Sequence, residues 1–274
     1  MDLELVELDR DHPGFRDAAY RERRNAIAAL ALRRTIGAPV EDVEYTDGEH
    51  GVWRTVLSHL APLHERYACA AYQSGFPRVS LTSPRVPSFE QMNARLSHAT
   101  GFRLEPVGGL VSAARFMEHL ERGVFLATQY MRHESQPLYT PEPDVVHELV
   151  GHAPLLVDPQ FAEVNRLFGV ATRRAIEDDL GPARVEALIR VYWYTLEFGV
   201  ARRDQGLEVY GAGLLSSYGE LGRLESTPEL RPFDLDAISR LPFDPTDYQR
   251  VLFLAPSVDH ALDAITTWLR RSGA

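Results

Sequence analysis

P-D-V-V-H-E-L-V-G-H-A-P-L-L, residues 143–156, carries two histidines five positions apart. On an α-helix, at about 100° per residue, a pair four apart lies about 40° apart and can share an ion. His147 and His152, five apart, would point about 140° apart. They meet only if the helix ends between them, and Gly151 predicts such a stop, with Pro154 opposing continuation. A third donor lies downstream: Glu197, in Y-W-Y-T-L-E-F-G at 192–199, sits among bulky apolar residues. A carboxylate buried there needs a cation, an arginine or a raised pKa. Two nitrogens and one oxygen would leave one face of a metal open, which suits a non-heme iron centre better than a structural ion. Taken singly, His147 is an ordinary helix histidine and His152 a loop residue. Asp144 and Glu148 flank His147 and could orient ligands or hold water, or merely charge a helix N-terminus.

Around this stretch the chain predicts a mainly α fold: a helical catalytic domain with small β-strand elements. Residues 15–36 read as an amphipathic helix stopped at Gly37, and 52–73 as a second, restarted at Pro62. Ser88 with Gln91 predicts a capping box, and Gly101 the end of that helix. Ser112 caps 113–122, and Asp158-Pro159 opens a helix running to about Leu180. Residues 183–202 predict the next helix, and Asp259 caps the last, ending near Arg270. Strands are expected at 125–131, 207–210 and 248–254. The turn-rich stretch from Ser80 to Ser88 is the one weak seam, and a single domain over 1–274 is expected, with an N-terminal helical layer over about 1–80.

Composition excludes several classes. A net charge of −10 with scattered basic residues argues against nucleic acid. The single cysteine, Cys69, precludes an internal disulfide and fits a reducing compartment. The N-terminus is acidic, unlike a signal peptide, and no apolar run suits a membrane span, so a cytoplasmic chain is expected. Neither Gly108-Gly109 nor Gly211-Ala212-Gly213 fits a nucleotide-binding template.

Five motifs, in order, then carry a resemblance: G-F-R-L-E-P-V-G-G-L at 101–110, T-Q-Y-M-R-H at 128–133, Y-T-P-E-P-D-V-V-H-E-L-V-G-H at 139–152, Y-W-Y-T-L-E-F-G at 192–199 and Y-G-A-G-L-L-S-S-Y-G-E-L at 210–221. A weaker stretch follows at 243–264. The chain resembles the catalytic domain of the pterin-dependent aromatic amino acid hydroxylases. The resemblance implies Fe(II) on His147, His152 and Glu197, with Ser216 fixing the His147 ring at the edge of the substrate site. It implies Arg132 and Thr140 on the substrate carboxylate, Pro143 and Trp193 against its ring, and Gly213 beside its backbone. A guanidinium fork suits the carboxylate. A tetrahydropterin would lie along Val107, Gly109, Leu110 and Phe116, with Glu148 and Tyr192 on its side, and O2 as co-substrate. Two positions depart from animal members: Leu126 stands for a pterin-contacting histidine and Ala113 for a serine.

The resemblance implies ring hydroxylation of an aromatic amino acid, most simply L-phenylalanine to L-tyrosine. Trp193 fits phenylalanine and tyrosine hydroxylases better than tryptophan hydroxylases, while F-D-P-T-D-Y at 243–248 matches neither of the former well. Tryptophan or meta-phenylalanine hydroxylation, a zinc hydrolase using Glu148 as base, and a silent amino-acid sensor are the alternatives. With the motifs beginning at residue 101, no regulatory domain and no tetramerisation helix are expected, and hence a monomer.

Overall fold

The computed structural model describes residues 8–33, 42–109, 111–178, 181–226, 228–245 and 247–271. Helix α1 (Ala18–Arg33) leads into α2 (Asp47–Tyr67), whose start is fixed by a reciprocal Thr46–Glu49 capping box. The expected stop of the first helix at Gly37 lies outside the described residues. The expected restart at Pro62 does not occur: α2 runs through it. Pro62 and Ser58 are both exposed, so the carbonyl that loses its donor faces water. The break comes at Ala68–Cys69, where the Cys69 N–H leaves the helix to donate to the Val209 carbonyl (3.0 Å), and α3 (Ala70–Arg78) follows.

Helix α4 (Phe89–Thr100) begins at the expected Ser88–Gln91 box and ends at Gly101, whose φ of +78° is a left-handed C-cap. Strand β1 (Arg103–Val107), helix α5 (Ala113–Leu120) and strand β2 (Val124–Thr128) form a parallel β-α-β unit, with Ser112 capping α5. Only β2 was expected, because Arg103, Glu105 and Pro106 disguise β1. Next come a π-turn (His147–His152), α6 (Ala153–Leu156) and α7 (Pro159–Glu177). Asp158 accepts from the N–H groups of Gln160 and Phe161 to cap α7, as its sequence implied.

Helix α8 (Pro182–Tyr192) passes into a second π-turn (Trp193–Glu197). The helix expected over 183–202 therefore ends at Glu197, and its last residues belong to β3 (Val200–Arg203). Strand β4 (Gly206–Val209), short helices α9 (Ala212–Leu215) and α10 (Tyr218–Gly222), strand β5 (Glu229–Pro232), α11 (Leu235–Ile238), β6 (Val251–Ala255) and α12 (Val258–Arg271) complete the chain. The second sheet has the order β4-β3-β6-β5. Ser257, not Asp259, caps α12, accepting from the His260 N–H at 3.1 Å.

One apolar core runs from Val52 to Leu269 and includes Trp53, Phe125, Phe161 and Phe168. Each such side chain contributes about 1.5–3 kcal/mol of burial. Helix α1 packs on a smaller cluster of Ile27, Val43 and Tyr130, and polar bonds tie it down: Arg24 to Glu142 (2.8 Å) and the Tyr20 hydroxyl to the Met131 carbonyl (2.9 Å). No helix among the described residues is long and apolar enough to cross a membrane.

Gly151 does not stop a helix. It lies inside the first π-turn, and a Cβ there would sit 2.6 Å from the Ala212 carbonyl oxygen, so glycine lets that turn press against α9. Gly151→Ala should force the two backbones apart, costing about 1–3 kcal/mol and lowering the Tm by several degrees. A variant melting with the wild type would show that this close approach is not structural.

Candidate metal centre and the cavity it faces

A π-helix closes i→i+5 hydrogen bonds, so residues five apart share a face. The Ala153 N–H donates to the Glu148 carbonyl in this register. Pro154, with no N–H to offer Val150, removes the competing α-helical bond. The expected helix break between the histidines is thus replaced by a wider turn, and His147 and His152 meet by stacking one turn apart. Their rings cross edge to face, with Nε2 atoms 3.0 Å apart. The second π-turn, closed by Phe198 N–H to the Trp193 carbonyl (2.9 Å), aims Glu197 at the same point. Its carboxylate lies 3.2 Å from His152 Nε2 and 3.7 Å from His147 Nε2.

These spacings fit one ion. Donors about 2.1 Å from a metal and at right angles to each other lie roughly 3.0 Å apart. The tautomer fits as well. Ser216 donates its hydroxyl proton to the Ala212 carbonyl (2.9 Å), so at 2.9 Å from His147 it accepts from Nδ1–H, leaving the Nε2 lone pair aimed inward. Burial, with His152 beside it, pushes His147 down to about 4, keeping it neutral. Burial acts the same way on His152, but the Glu197 carboxylate outweighs it and raises the pKa. For Glu197, burial pushes up, while His152, His147 and the Gly213 backbone together hold it below the ordinary carboxylate value.

A second carboxylate competes for the role. An oxygen of Glu148 and the two imidazoles lie within 4.8 Å of one another. Its Oε1, however, accepts from both the N–H and the hydroxyl of Thr128, each at 3.0 Å. Burial dominates there and pushes Glu148 up to about 7. Glu197, held ionised and in direct contact with His152, is the stronger third donor.

The centre opens into a cavity of about 640 Å³. Of the sequence candidates, Val107, Gly109, Phe116, Glu148 and Tyr192 line it, as do Arg132, Thr140, Pro143, Trp193, Gly213 and Ser216. Leu110 lies outside the described residues. Leu126 and Ala113 also face the cavity. Phe116 stands edge-on to Phe125 and Tyr192 (5.0 and 5.7 Å between ring centres), and the Tyr192 hydroxyl donates to Asn165 at 3.0 Å. Arg132 is clamped by Asp144, which was expected to orient ligands, hold water or charge a helix N-terminus beside His147: Nε and Nη2 reach its two oxygens at 2.9 and 2.8 Å. Five guanidinium N–H groups exceed what Asp144 and the Pro137 carbonyl take up. Thr140 donates its hydroxyl to the Glu142 carbonyl (2.9 Å). Sequence reasoning missed Glu220 and Gln249, which carry no spacing signal; burial holds the first near pKa 7 and the second is buried.

Two measurements follow. Ser216→Ala should weaken divalent-metal binding by about 10–100-fold in anaerobic titration, without a comparable loss of thermal stability; unchanged affinity would remove Ser216 from the centre. Burial opposes ionisation of Asp144, but Arg132 prevails and its pKa is lowered from 3.8. Its stabilising contribution is therefore complete above that value and lost as pH falls through the lowered one. Asp144→Asn should cost about 3–5 kcal/mol at neutral pH, with the gap to wild type in chemical denaturation closing only below the ordinary aspartate pKa; a gap already closed at neutral pH would contradict the pairing.

Several known proteins are similar to this chain in sequence and architecture. The curated relatives include tyrosine 3-monooxygenase of Rattus norvegicus, 40% identical over 270 residues covering 97% of this chain and 53% of that protein. Phenylalanine-4-hydroxylase of Mus musculus is 39% identical over 268 residues, 96% of this chain and 58% of that protein. The chain thus spans little more than half the length of these relatives. Among solved structures, Chromobacterium violaceum phenylalanine hydroxylase, with bound iron(III) and 7,8-dihydrobiopterin, superposes with a TM-score of 0.78 at 32% identity, covering 91% and 90% of the two chains. The Legionella pneumophila phenylalanine hydroxylase gives 0.73 at 29% identity, covering 84% and 92%. The family model for biopterin-dependent aromatic amino acid hydroxylases matches residues 3–272, and the chain belongs to that family.

Proposed function

We propose that this chain hydroxylates the ring of an aromatic L-amino acid, converting L-phenylalanine to L-tyrosine, with Fe(II), a tetrahydropterin and O2. The observation that carries the reading is the convergence of His147, His152 and Glu197 at the wall of a cavity that Arg132 also lines. Two nitrogens and one oxygen on one side leave the other side of an ion open to the cavity. Iron and pterin, when bound, supply the redox chemistry that places one oxygen atom of O2 on the ring.

The protein's share is holding and orienting. Ser216 fixes the His147 tautomer, and the Gly213 backbone steadies Glu197. Val107, Gly109 and Phe116 would hold the pterin, beside Glu148 and Tyr192, which are immobilised by Thr128 and Asn165. Arg132, preset by Asp144, takes the substrate carboxylate with its remaining N–H groups, and Thr140 joins by exchanging its bond to the Glu142 carbonyl. Pro143 and Trp193 flank the ring.

Phenylalanine is favoured over tyrosine by what surrounds that ring. Trp193 is stacked on Phe243 (4.2 Å, 12° between planes), and its N–H is already bonded to Gln249. A site selecting a phenol needs a free hydrogen-bonding partner for its hydroxyl, and neither Trp193 nor Phe243 supplies one. A hydrolase would need Glu148 as a mobile base, whereas Thr128 holds it by two bonds.

The test is to incubate the iron-loaded protein with a tetrahydropterin and phenylalanine, tyrosine or tryptophan separately. Products are then identified by mass and chromatographic position. Tyrosine from phenylalanine is expected, and Glu197→Ala should abolish it with the fold intact. Dihydroxyphenylalanine or hydroxytryptophan as the main product would overturn the substrate assignment. Tyrosine formation surviving in iron-replete Glu197→Ala would overturn the metal assignment, and binding without O2 uptake would identify a sensor.

A further inference from the structure

Gln249 does not line the cavity, yet every polar atom of its side chain is engaged with a residue that shapes it. It is 6% exposed and lies between the segment 243–248 and β6. Its Oε1 accepts the Trp193 indole N–H at 3.0 Å. Its Nε2 donates to the carbonyls of Asp244 (3.1 Å) and Asp247 (3.2 Å). Its backbone N–H donates to Glu220 Oε1 at 2.8 Å. The amide has only one consistent orientation, since the two carbonyls can only accept and the indole can only donate.

We propose that Gln249 is the positioning residue that sets which edge of the Trp193 indole faces the cavity, and through it the enzyme's preference for a phenyl over an indole substrate ring. This rests on the substrate reading given above. Two phenyl rings pack against Trp193, Phe243 stacked at 4.2 Å and Phe198 tilted by 38° at 4.7 Å. Stacking of this kind fixes the ring plane but not which way round the indole lies in it, because the torsion about Cβ–Cγ is roughly two-fold and orientations about 180° apart share one plane. The indole N–H is the only directional bond Trp193 can form through its side chain, so Gln249 decides which edge of the indole faces the cavity. The same amide, through Nε2, closes the segment that carries Phe243. Trp193 and the carbonyls of Asp244 and Asp247 beyond Phe243 are thereby tied to a single side chain.

Two substitutions separate the halves of this device. Gln249→Leu removes the acceptor and both donors. Gln249→Glu is nearly isosteric and keeps an acceptor for Trp193, but sets a carboxylate against two carbonyl oxygens; it tests the same role independently if Gln249→Leu does not fold. Binding of L-phenylalanine and L-tryptophan to the iron-loaded protein is measured by calorimetry, with kcat and KM alongside and indole emission compared with Trp193→Phe.

Gln249→Leu is expected to lower the ratio of tryptophan Kd to phenylalanine Kd by about tenfold, to raise KM for phenylalanine, to leave kcat within about twofold, and to shift the Trp193 emission. Gln249→Glu should lower the same ratio. In a Trp193→Phe background, the effect of Gln249→Leu on the ratio should shrink to about twofold or less, since residues acting through one another are non-additive. An unchanged ratio in both variants, or an equal change with and without Trp193, overturns the proposal, even if the Tm falls. A wild type that prefers tryptophan overturns the substrate reading instead, while the double-mutant comparison still decides the role of Gln249.

Discussion

Two imidazoles and a carboxylate are drawn out of water into an apolar core, and the rest of the site is arranged around that constraint. Each would be costly to bury alone. They become tenable because two π-turns bring them within 3.0–3.7 Å of one another. A π-turn inserts an extra residue into a helical turn, and it converts the five-residue spacing of His147 and His152 from opposed to shared faces. The glycine at 151 then lets α9 approach, and Ser216, directly after α9, reaches the outer nitrogen of His147.

Around this centre the polar groups come as fixed pairs. Asp144 presets Arg132, Thr128 immobilises Glu148, Asn165 holds Tyr192, and Gln249 holds Trp193. Buried networks of this kind rigidify when fully satisfied. The cavity is thus bounded by groups held in place before a ligand arrives, with N–H groups of Arg132 left over to meet one. That suits a site whose cofactors carry the chemistry and whose protein must supply orientation.

Helix starts were legible because capping is local: Thr46 aside, the Ser88, Ser112 and Asp158 caps follow from one or two residues each. The last helix was placed correctly but given the wrong cap, since Ser257 and Asp259 are both good candidates and geometry chooses between them. Strands β1 and β5 were not legible: Arg103, Pro106, Arg231 and Pro232 break any alternating pattern, and pairing with β2 and β6 defines them. Pro62 misled because exposure, not sequence, decides whether a helix tolerates proline. The donor set itself was readable as residue types, but its geometry was not, because π-register is a compromise among Pro154, Gly151 and the packing of α9. The clamp on Arg132 and the role of Gln249 depend on contacts distant in sequence.

The central claim is that one iron is gripped by His147, His152 and Glu197. Crystals loaded anaerobically with Fe(II), with anomalous differences recorded at the iron edge, test it most directly. One peak is expected, about 2.0–2.2 Å from Nε2 of each histidine and from a Glu197 oxygen, with Glu148 still bonded to Thr128. A peak coordinated by Glu148 with Glu197 turned away, or no peak between the histidines, would contradict it.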